Sequence, residues 1–324
     1  MTERDSKLDI LRTIGILLIF LAHVECPFFV RQTRIFDVIL LVMISGYVYT
    51  EPKDFFKYIL KRIKRLVFPT WIFLTLFFFM IYIVEFIFNI KINIFSTKEI
   101  ISSYLFGAGI GFVWIIRVYL GTSIFGPLLV KKIQRNTKNL IYIYILTEIF
   151  ILYIVKKINN TEILYFVGIL QYILIFCYGK LLKEKKFQIK KVLLLLSCLM
   201  IVFFISKGIV DIGFYKYPPR IIYIWYGIFV STFLFWLKDK VKVENNLLKK
   251  FCEYIGKSTM WFYLLHILIY YFFKFLKKYI SINWIEEYCF LVILTFILLL
   301  LKDFFLKKLY KIFPENRILK VFEG

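Results

Sequence analysis

Long apolar stretches alternate with short polar segments along the whole chain. The apolar stretches cover residues 9–28, 35–50, 67–89, 112–130, 139–156, 162–182, 190–208, 220–238, 259–278 and 284–308. A helix needs about 20 apolar residues to cross the hydrocarbon core of a bilayer, because each residue adds only about 1.5 Å. The pattern therefore predicts an all-α, polytopic bundle of about ten transmembrane helices.

Composition supports the same class of protein. Hydrophobic residues make up 61% of the 324 residues, and aromatic residues 21%. A soluble domain is closer to half apolar, so lipid must solvate much of this surface. The connecting segments are too short for a soluble enzyme domain, and we expect a single integral-membrane domain over residues 1–324. Any chemistry must then occur inside the bundle or at its mouths.

The basic residues predict the orientation of the helices. The net charge of +23 would suggest a nucleic-acid partner in a soluble protein, but the chain carries no nucleic-acid motif. With the amino terminus in the cytoplasm, the cytoplasmic segments carry more than twice as many Lys and Arg residues as the outer loops. This asymmetry follows the positive-inside rule and places both termini in the cytoplasm. The bias toward Ile, Lys, Phe and Tyr is typical of an AT-rich bacterial genome, which predicts a multi-pass protein of a bacterial cytoplasmic (inner) membrane.

Ionisable residues inside apolar stretches mark candidate chemistry, because each costs at least about 2.5 kcal/mol to insert. The chain has two histidines, His23 and His266, and both lie in predicted spans. His23 follows Arg12 by eleven residues, which on one continuous helix brings both side chains to within about 20° of the same face, about 16 Å apart. Asp9 precedes Arg12 by one helical turn and is expected to orient it.

These residue types suit transfer of a group from a phosphate-bearing donor. An arginine at the cytoplasmic mouth can hold an anionic donor, and a deeper histidine can serve as general base or acyl carrier. The alternatives are that Arg12 is a positive-inside anchor and that the histidines only bridge helices. The five cysteines show no CxxC spacing, so no metal site is predicted.

Four further segments stand out. Arg117, flanked by Trp114 and Tyr119, either snorkels to an interface or lines a polar cavity. The basic segment from residue 53 to residue 65 predicts an amphipathic helix that contacts anionic lipid or recruits a polyphosphate donor. Residues 99–111 are too short and glycine-rich to span the membrane, so we expect a re-entrant or interfacial piece. Residues 217–220 are expected to cap the outer end of the eighth span.

Five short motifs occur in order over most of the chain. They are Leu8-Asp9-Ile10-Leu11-Arg12 with His23, Val42-Met43-Ile44-Ser45-Gly46-Tyr47, Lys61-Arg62 with Arg65, Pro69 and Trp71, Val113-Trp114 with Arg117-Val118-Tyr119-Leu120, and Tyr254-Ile255-Gly256-Lys257-Ser258 with Tyr263-Leu264-Leu265-His266. In this order they resemble the membrane acyltransferase-3 family, in its stand-alone membrane form. One departure is Thr13, which stands where that family has a glycine after the arginine.

The resemblance implies an O-acyltransferase. The acyl group, most often acetyl, would pass from a cytoplasmic acyl-CoA to a hydroxyl of a lipid-linked or exported carbohydrate. It implies His23 as catalytic base or acyl relay and Arg12 as its essential partner, with Arg62 and Arg65 on the donor phosphates. The donor, acetyl-CoA or another acyl-CoA, is a substrate, and no bound cofactor is expected.

The acceptor side is a mechanistic hypothesis, because an aromatic face packs well against a sugar ring. Arg117 and Trp114 are expected to line it, and Tyr263 and His266 are expected to contribute to substrate binding, although a structural role for His266 fits the sequence equally well. Expected partners are the acyl-CoA, the carbohydrate acceptor, membrane lipid and polysaccharide-biosynthesis proteins, with no nucleic acid. The alternative function is a glycan or acyl-group transporter or flippase of the same architecture, which would favour paired helix breaks in two halves of the chain.

Overall fold

A computed structural model of the chain describes residues 5–88, 95–135, 137–158, 160–186, 188–241, 245–314 and 317–323. Over these residues the structure is helical and contains no β-strand. The α-helices are α1 (Ser6–Leu21), α2 (Phe28–Thr33), α3 (Asp37–Tyr47), α4 (Phe55–Phe88), α5 (Thr97–Tyr104), α6 (Trp114–Arg135), α7 (Lys138–Lys157), α8 (Thr161–Lys183), α9 (Ile189–Lys207), α10 (Ile221–Lys238), α11 (Asn246–Lys257), α12 (Thr259–Leu276) and α13 (Trp284–Ile312). Two 3-10 helices, Ile212–Tyr215 and Arg317–Phe322, complete the fold.

The prediction of an all-α transmembrane protein is confirmed. Within the described residues, 8 helices are long and apolar enough to cross a membrane, namely α4, α6, α7, α8, α9, α10, α12 and α13. The first two predicted spans correspond to shorter helices, α1 with 16 residues and α3 with 11. The number of spans and the positions of the termini therefore stay predictions.

The basic segment and the third predicted span form one continuous helix, α4, of 34 residues. Pro69 lies inside it, where it removes one backbone hydrogen bond. The adjacent Thr70 hydroxyl donates to the carbonyl of Leu66 at 2.7 Å in the same turn. The amphipathic helix predicted for the basic segment is thus the first part of α4.

The chain packs as two compact units. The first comprises Met1–Lys53 and Gly121–Lys257, and the second comprises Asp54–Leu120 and Ser258–Gly324. The three boundaries fall just before α4, within α6, and between α11 and α12. The expected single functional domain over residues 1–324 stays a prediction.

Helix α3 forms the centre of the first unit, with nearly all of its residues buried. It crosses α8 at two glycines. A methyl group at Gly46 would overlap the carbonyl oxygen of Phe176, and one at Gly179 would overlap the carbonyl oxygen of Met43. Small residues allow backbones to approach this closely, which is how helices pack where lipid gives no hydrophobic drive.

Polar contacts in the first unit pair segments that the charge pattern assigns to the same side of the membrane. The contacts between predicted cytoplasmic segments are Lys7–Asp239, Lys131–Glu51 and Gln134–Glu184. Arg31 and Gln32 of the first predicted outer loop both contact Asp211 of another outer loop, and Lys216 of that loop contacts Asp37 at the outer end of the second predicted span. The predicted alternation is therefore consistent with the packing of this unit.

In the second unit, the carboxyl-terminal 3-10 helix packs against α12 and α13. The Trp261 ring stacks on Phe322 at 5.3 Å between centroids, and the Trp261 indole N–H donates to the carbonyl of Val321. The Lys302 ammonium donates to the carbonyl of Phe322. These contacts hold the end of the described chain against the helices.

Candidate active site

Arg12 is held by a buried carboxylate on its own helix. Its Nη1 lies 2.6 Å from Oδ1 of Asp9, and Asp9 is fully buried, whereas the Arg12 side chain keeps 22% of its exposure. The pair is one turn apart on α1, where residues at i and i+3 meet. The expected orientation of Arg12 by Asp9 is confirmed, and the short charge-assisted bond limits the positions that the guanidinium can take.

Helix α11 closes around this pair from the other side. The Thr13 hydroxyl lies 2.9 Å from the carbonyl oxygen of Asp9 and 3.2 Å from that of Cys252. A Cβ added to Gly256 would lie 2.6 Å from Oδ1 of Asp9, so this position has no room for a side chain. The departure at Thr13 thus has a local explanation, because its hydroxyl reaches both α1 and α11.

His23 does not lie on α1. The helix ends at Leu21, and His23 follows in a turn in which its backbone N–H donates to the carbonyl of Phe20 at 3.0 Å. The nearby Pro27 has no N–H and restricts its predecessor, which opposes further helix here. The prediction that Arg12 and His23 share one helix face was wrong in its premise, since it assumed a helix that extends to residue 23. His23 is half-buried at the end of α1.

Tyr263 and His266 lie together on α12 in the second unit. The Tyr263 hydroxyl donates to the carbonyl of Phe112 at 2.7 Å, and the two rings of Tyr263 and His266 are 4.9 Å apart. His266 is fully buried, its Nδ1 contacts the carbonyl of Tyr263, and its ring meets that of Phe112 edge-on at 5.6 Å. The predicted pair therefore forms one cluster with Phe112, which lies two residues before the start of α6.

The glycine-rich segment before α6 is a fixed loop rather than a span. Helix α5 begins with a capping box, in which Ser96 and Glu99 each bond the other's backbone N–H. These bonds lower the pKa of the Glu99 carboxyl, the bond from the Ser96 backbone most. Ser103 accepts from the N–H of Ile110 at 3.0 Å, and Tyr271 donates to the carbonyl of Ile110 at 3.1 Å. The loop thereby holds the start of α6.

The remaining predicted residues also belong to the second unit. Arg117 is buried on α6, one turn after the half-buried Trp114. On α4, the Arg62 guanidinium lies 5.0 Å from the centroid of the Tyr58 ring, and Arg65 is exposed. Each of these residues is thus placed within its own unit, Arg12 and His23 in the first and the other six in the second.

Comparison with known proteins identifies the family of this chain. The family model described as an acyltransferase domain, acyltransferase-3, matches residues 5–302 of the chain. The chain belongs to the acyltransferase-3 family. The curated proteins and the solved structures gave no match. The protein is accordingly a membrane acyltransferase, which confirms the resemblance drawn from the five motifs.

Close helix packing explains the glycines in two of the acyltransferase-3 motifs. The glycine of the late motif, Gly256, packs against Asp9 of the first motif. The glycine of the second motif, Gly46, lets α3 approach α8. Both glycines are therefore required by close approach, a reason that the sequence does not reveal.

Replacing Asp9 in this acyltransferase tests whether the buried pair positions Arg12. For Asp9→Asn we expect acyl transfer to fall about 10–100-fold, because a charge-assisted bond contributes about 1.5–3 kcal/mol. Steady-state rates at varied acyl-CoA would measure this. Asp5→Asn is the matched control, because Asp5 caps α1 and Asn caps a helix equally well. Equal rates in both variants would show that Asp9 does not act through Arg12.

Replacing Tyr263 tests the anchor of the loop before α6. Tyr263→Phe leaves the buried carbonyl of Phe112 without this donor, which costs about 1–3 kcal/mol. We expect a lower thermal midpoint for the purified protein in detergent. Tyr82→Phe is the control, since Tyr82 is 64% exposed on α4. An unchanged midpoint for Tyr263→Phe would contradict the anchoring role.

Proposed function

We propose that this acyltransferase moves an acyl group, most often acetyl, from cytoplasmic acyl-CoA to a hydroxyl of a cell-surface or lipid-linked carbohydrate. The proposed setting is a bacterial cytoplasmic membrane, with polysaccharide-biosynthesis proteins as partners. The observation that carries the proposal is the buried Asp9 carboxylate on Arg12 within a chain of this family. Burying such a charge costs free energy, and ionisable groups within membrane segments mark function by default.

The donor is proposed to meet the basic start of α4. Lys57, Lys61, Lys64 and Arg65 are exposed there, and the Arg62 guanidinium lies on the Tyr58 ring. Exposed cations suit the phosphates of a CoA, and they suit anionic lipid headgroups for the same reason. Arg62 and Arg65 are proposed to contact the donor phosphates, while the other cations are free to contact lipid. Arg12 is proposed to act on the donor from α1.

His23 is proposed to carry out the proton transfer. Its neutral imidazole takes the proton of the acceptor hydroxyl while the hydroxyl oxygen forms a bond to the thioester carbon. The carbon–sulfur bond then breaks, the CoA thiolate leaves, and the imidazolium returns its proton to the sulfur. In the relay form, the imidazole nitrogen attacks the thioester carbon, the carbon–sulfur bond breaks, and CoA leaves as the thiol with the proton of the imidazole. The acceptor hydroxyl then attacks the acyl-imidazole, the carbon–nitrogen bond breaks, and the hydroxyl proton passes to the imidazole.

The acceptor is proposed to meet the aromatic and polar residues of α6 and α12. Trp114 offers an aromatic face for a sugar ring, and Arg117 offers donors for its oxygens. Tyr263 and His266 are proposed to shape this side through Phe112, which both contact. The full burial of His266 favours a supporting role over direct contact with the sugar.

The proposal is tested by labelled transfer in membrane vesicles that contain the protein. We expect label from acetyl-CoA to enter carbohydrate as an ester that mild base releases, and a panel with succinyl-CoA and longer acyl-CoAs would define the donor. Vesicles without the protein are the control. If no donor labels carbohydrate, the proposal fails and transport of a glycan or acyl group becomes the better account.

A further inference from the structure

A second charged cluster is buried in the first unit, apart from the residues assigned to catalysis. Asp37, at the start of α3, lies 3.2 Å from the Arg34 guanidinium and 3.2 Å from the Lys216 ammonium. The exposed fractions of the three side chains are 11% for Arg34, 1% for Asp37 and 10% for Lys216. Two cations therefore share one carboxylate in a place with little water.

The carboxylate is itself fixed. Its Oδ1 accepts from the backbone N–H of Val38 at 2.6 Å and from the Lys216 ammonium at 3.2 Å, and its Oδ2 accepts from the Arg34 guanidinium at 3.2 Å and from the Lys216 ammonium at 3.5 Å. Burial lowers the pKa of the Lys216 ammonium, and Asp37 opposes that effect. Among the described residues, the Nε of Arg34 is buried and has no hydrogen-bond partner. The cluster thus holds positive charge and a donor that its own residues do not use.

Anchoring of the loop before α10 does not require this cluster. The same loop is already held by Asp211, which bonds Arg31 at 2.9 Å and Gln32 at 2.7 Å. Pro219 packs closely on Gly168, and a Cβ added at Gly168 would lie 2.6 Å from the proline ring. Apolar residues of similar volume often replace a buried ion pair without loss of stability, so a buried lysine is a poor choice for an anchor alone.

The position of the cluster fits the acceptor side of the reaction. Arg34 lies in the first outer loop predicted from the charge pattern, and Lys216 lies in the outer loop that was expected to cap the eighth span. We propose that Arg34, Asp37 and Lys216 form a binding site for an oxyanion, a carboxylate or a phosphate group, carried by the carbohydrate acceptor. The identity of the carrier rests on the proposed function, whereas anion binding is testable without acyl transfer.

The chemistry of the cluster suits such a group. A guanidinium and an ammonium together offer several donors to the oxygens of a carboxylate or phosphate, and Asp37 keeps both cations in place. A bound oxyanion would balance the second cation and accept from the buried Nε of Arg34. The acceptor would then be an acidic glycan, with uronic acid or phosphate substituents, rather than a neutral one.

The test measures binding by the full chain purified in detergent. The probes are methyl glucuronide for a carboxylate, glycerol phosphate for a phosphate and methyl glucoside as the neutral control, at constant ionic strength. We expect a saturable rise in thermal midpoint with one of the two anionic probes and none with the glucoside. The probe that binds identifies the oxyanion. No saturable rise with either anionic probe would overturn the proposal.

Two variants assign the binding to the cluster. Arg34→Gln should weaken the apparent affinity at least about tenfold, since charge-assisted bonds to the oxyanion are lost. Arg31→Gln is the matched control, because Arg31 is 45% exposed and holds the same loop through Asp211; its affinity should stay within about twofold. Equal losses in both would show that the cluster only anchors the loop.

A conservative variant covers the case in which Arg34→Gln does not fold. Arg34→Lys keeps a positive charge beside Asp37 but removes the Nε donor. The variant should therefore fold and bind the anionic probe more weakly than the wild type. Wild-type affinity in Arg34→Lys would overturn the assignment of the Nε. Anion binding without acyl transfer would support this site and refute the proposed function. Acyl transfer without anion binding would support the proposed function and refute this site.

Discussion

Replacing His23 with alanine is expected to lower acyl transfer by about 10²–10⁴-fold, the usual contribution of a positioned acid–base group. The fold should survive, because His23 is half-buried in a turn beyond the last residue of α1. The rate is measured as CoA release in vesicles that supply acyl-CoA and acceptor, with the amount of folded protein matched by size exclusion. A covalent relay would lose all turnover, and a base would leave a slow residual rate.

The second histidine provides the contrast. His266 is fully buried among aromatic rings on α12, so His266→Ala should lower the thermal midpoint as well as the rate. His23→Ala should lower the rate alone. If His23→Ala retains wild-type CoA release, His23 is not catalytic and the assignment of the site fails.

Replacing Gly46 with alanine is expected to have the largest effect on folding. The added methyl group would overlap the carbonyl oxygen of Phe176, and a backbone carbonyl inside α8 cannot turn away. Overpacking typically costs about 1–3 kcal/mol, and more where only backbone can move. We expect little monodisperse protein on size exclusion in detergent, and the same outcome for Gly179→Ala, because its methyl group would meet the carbonyl of Met43.

The control for the glycine variants lies on α1. A Cβ at Gly15 would lie 2.7 Å from Cγ of Leu41, a flexible side chain that can change rotamer. Gly15→Ala should therefore reduce the yield of folded protein much less than Gly46→Ala does. Comparable yields for Gly46→Ala and wild type would contradict the close approach of α3 and α8.

The helices could be predicted from the sequence, because the length and hydropathy of an apolar stretch are enough to identify a membrane span. Each of the ten apolar stretches corresponds to a helix in the structure. Their ends were less predictable. The first apolar stretch continues past Leu21, where the helix ends, because apolar composition does not record the turn that precedes Pro27. At Pro69 the predicted span 67–89 and the structure agree, since α4 continues through this residue.

Some contacts of the candidate site could likewise be predicted from the sequence, and others could not. Asp9 and Arg12 are one helical turn apart, so their contact could be read from spacing. Arg34, Asp37 and Lys216 could not be grouped, because Lys216 and Asp37 are 179 residues apart and meet only where the loop before α10 packs against the start of α3. The role of Gly256 against Asp9 was hidden for the same reason.

The most direct test of acyl transfer through His23 is the ester content of surface glycan from cells that express the wild type or His23→Ala at equal levels. We predict that base-labile acyl esters appear on the glycan with the wild type and disappear with the variant. Equal ester content in both, or none in either, would contradict acyl transfer to carbohydrate by this residue.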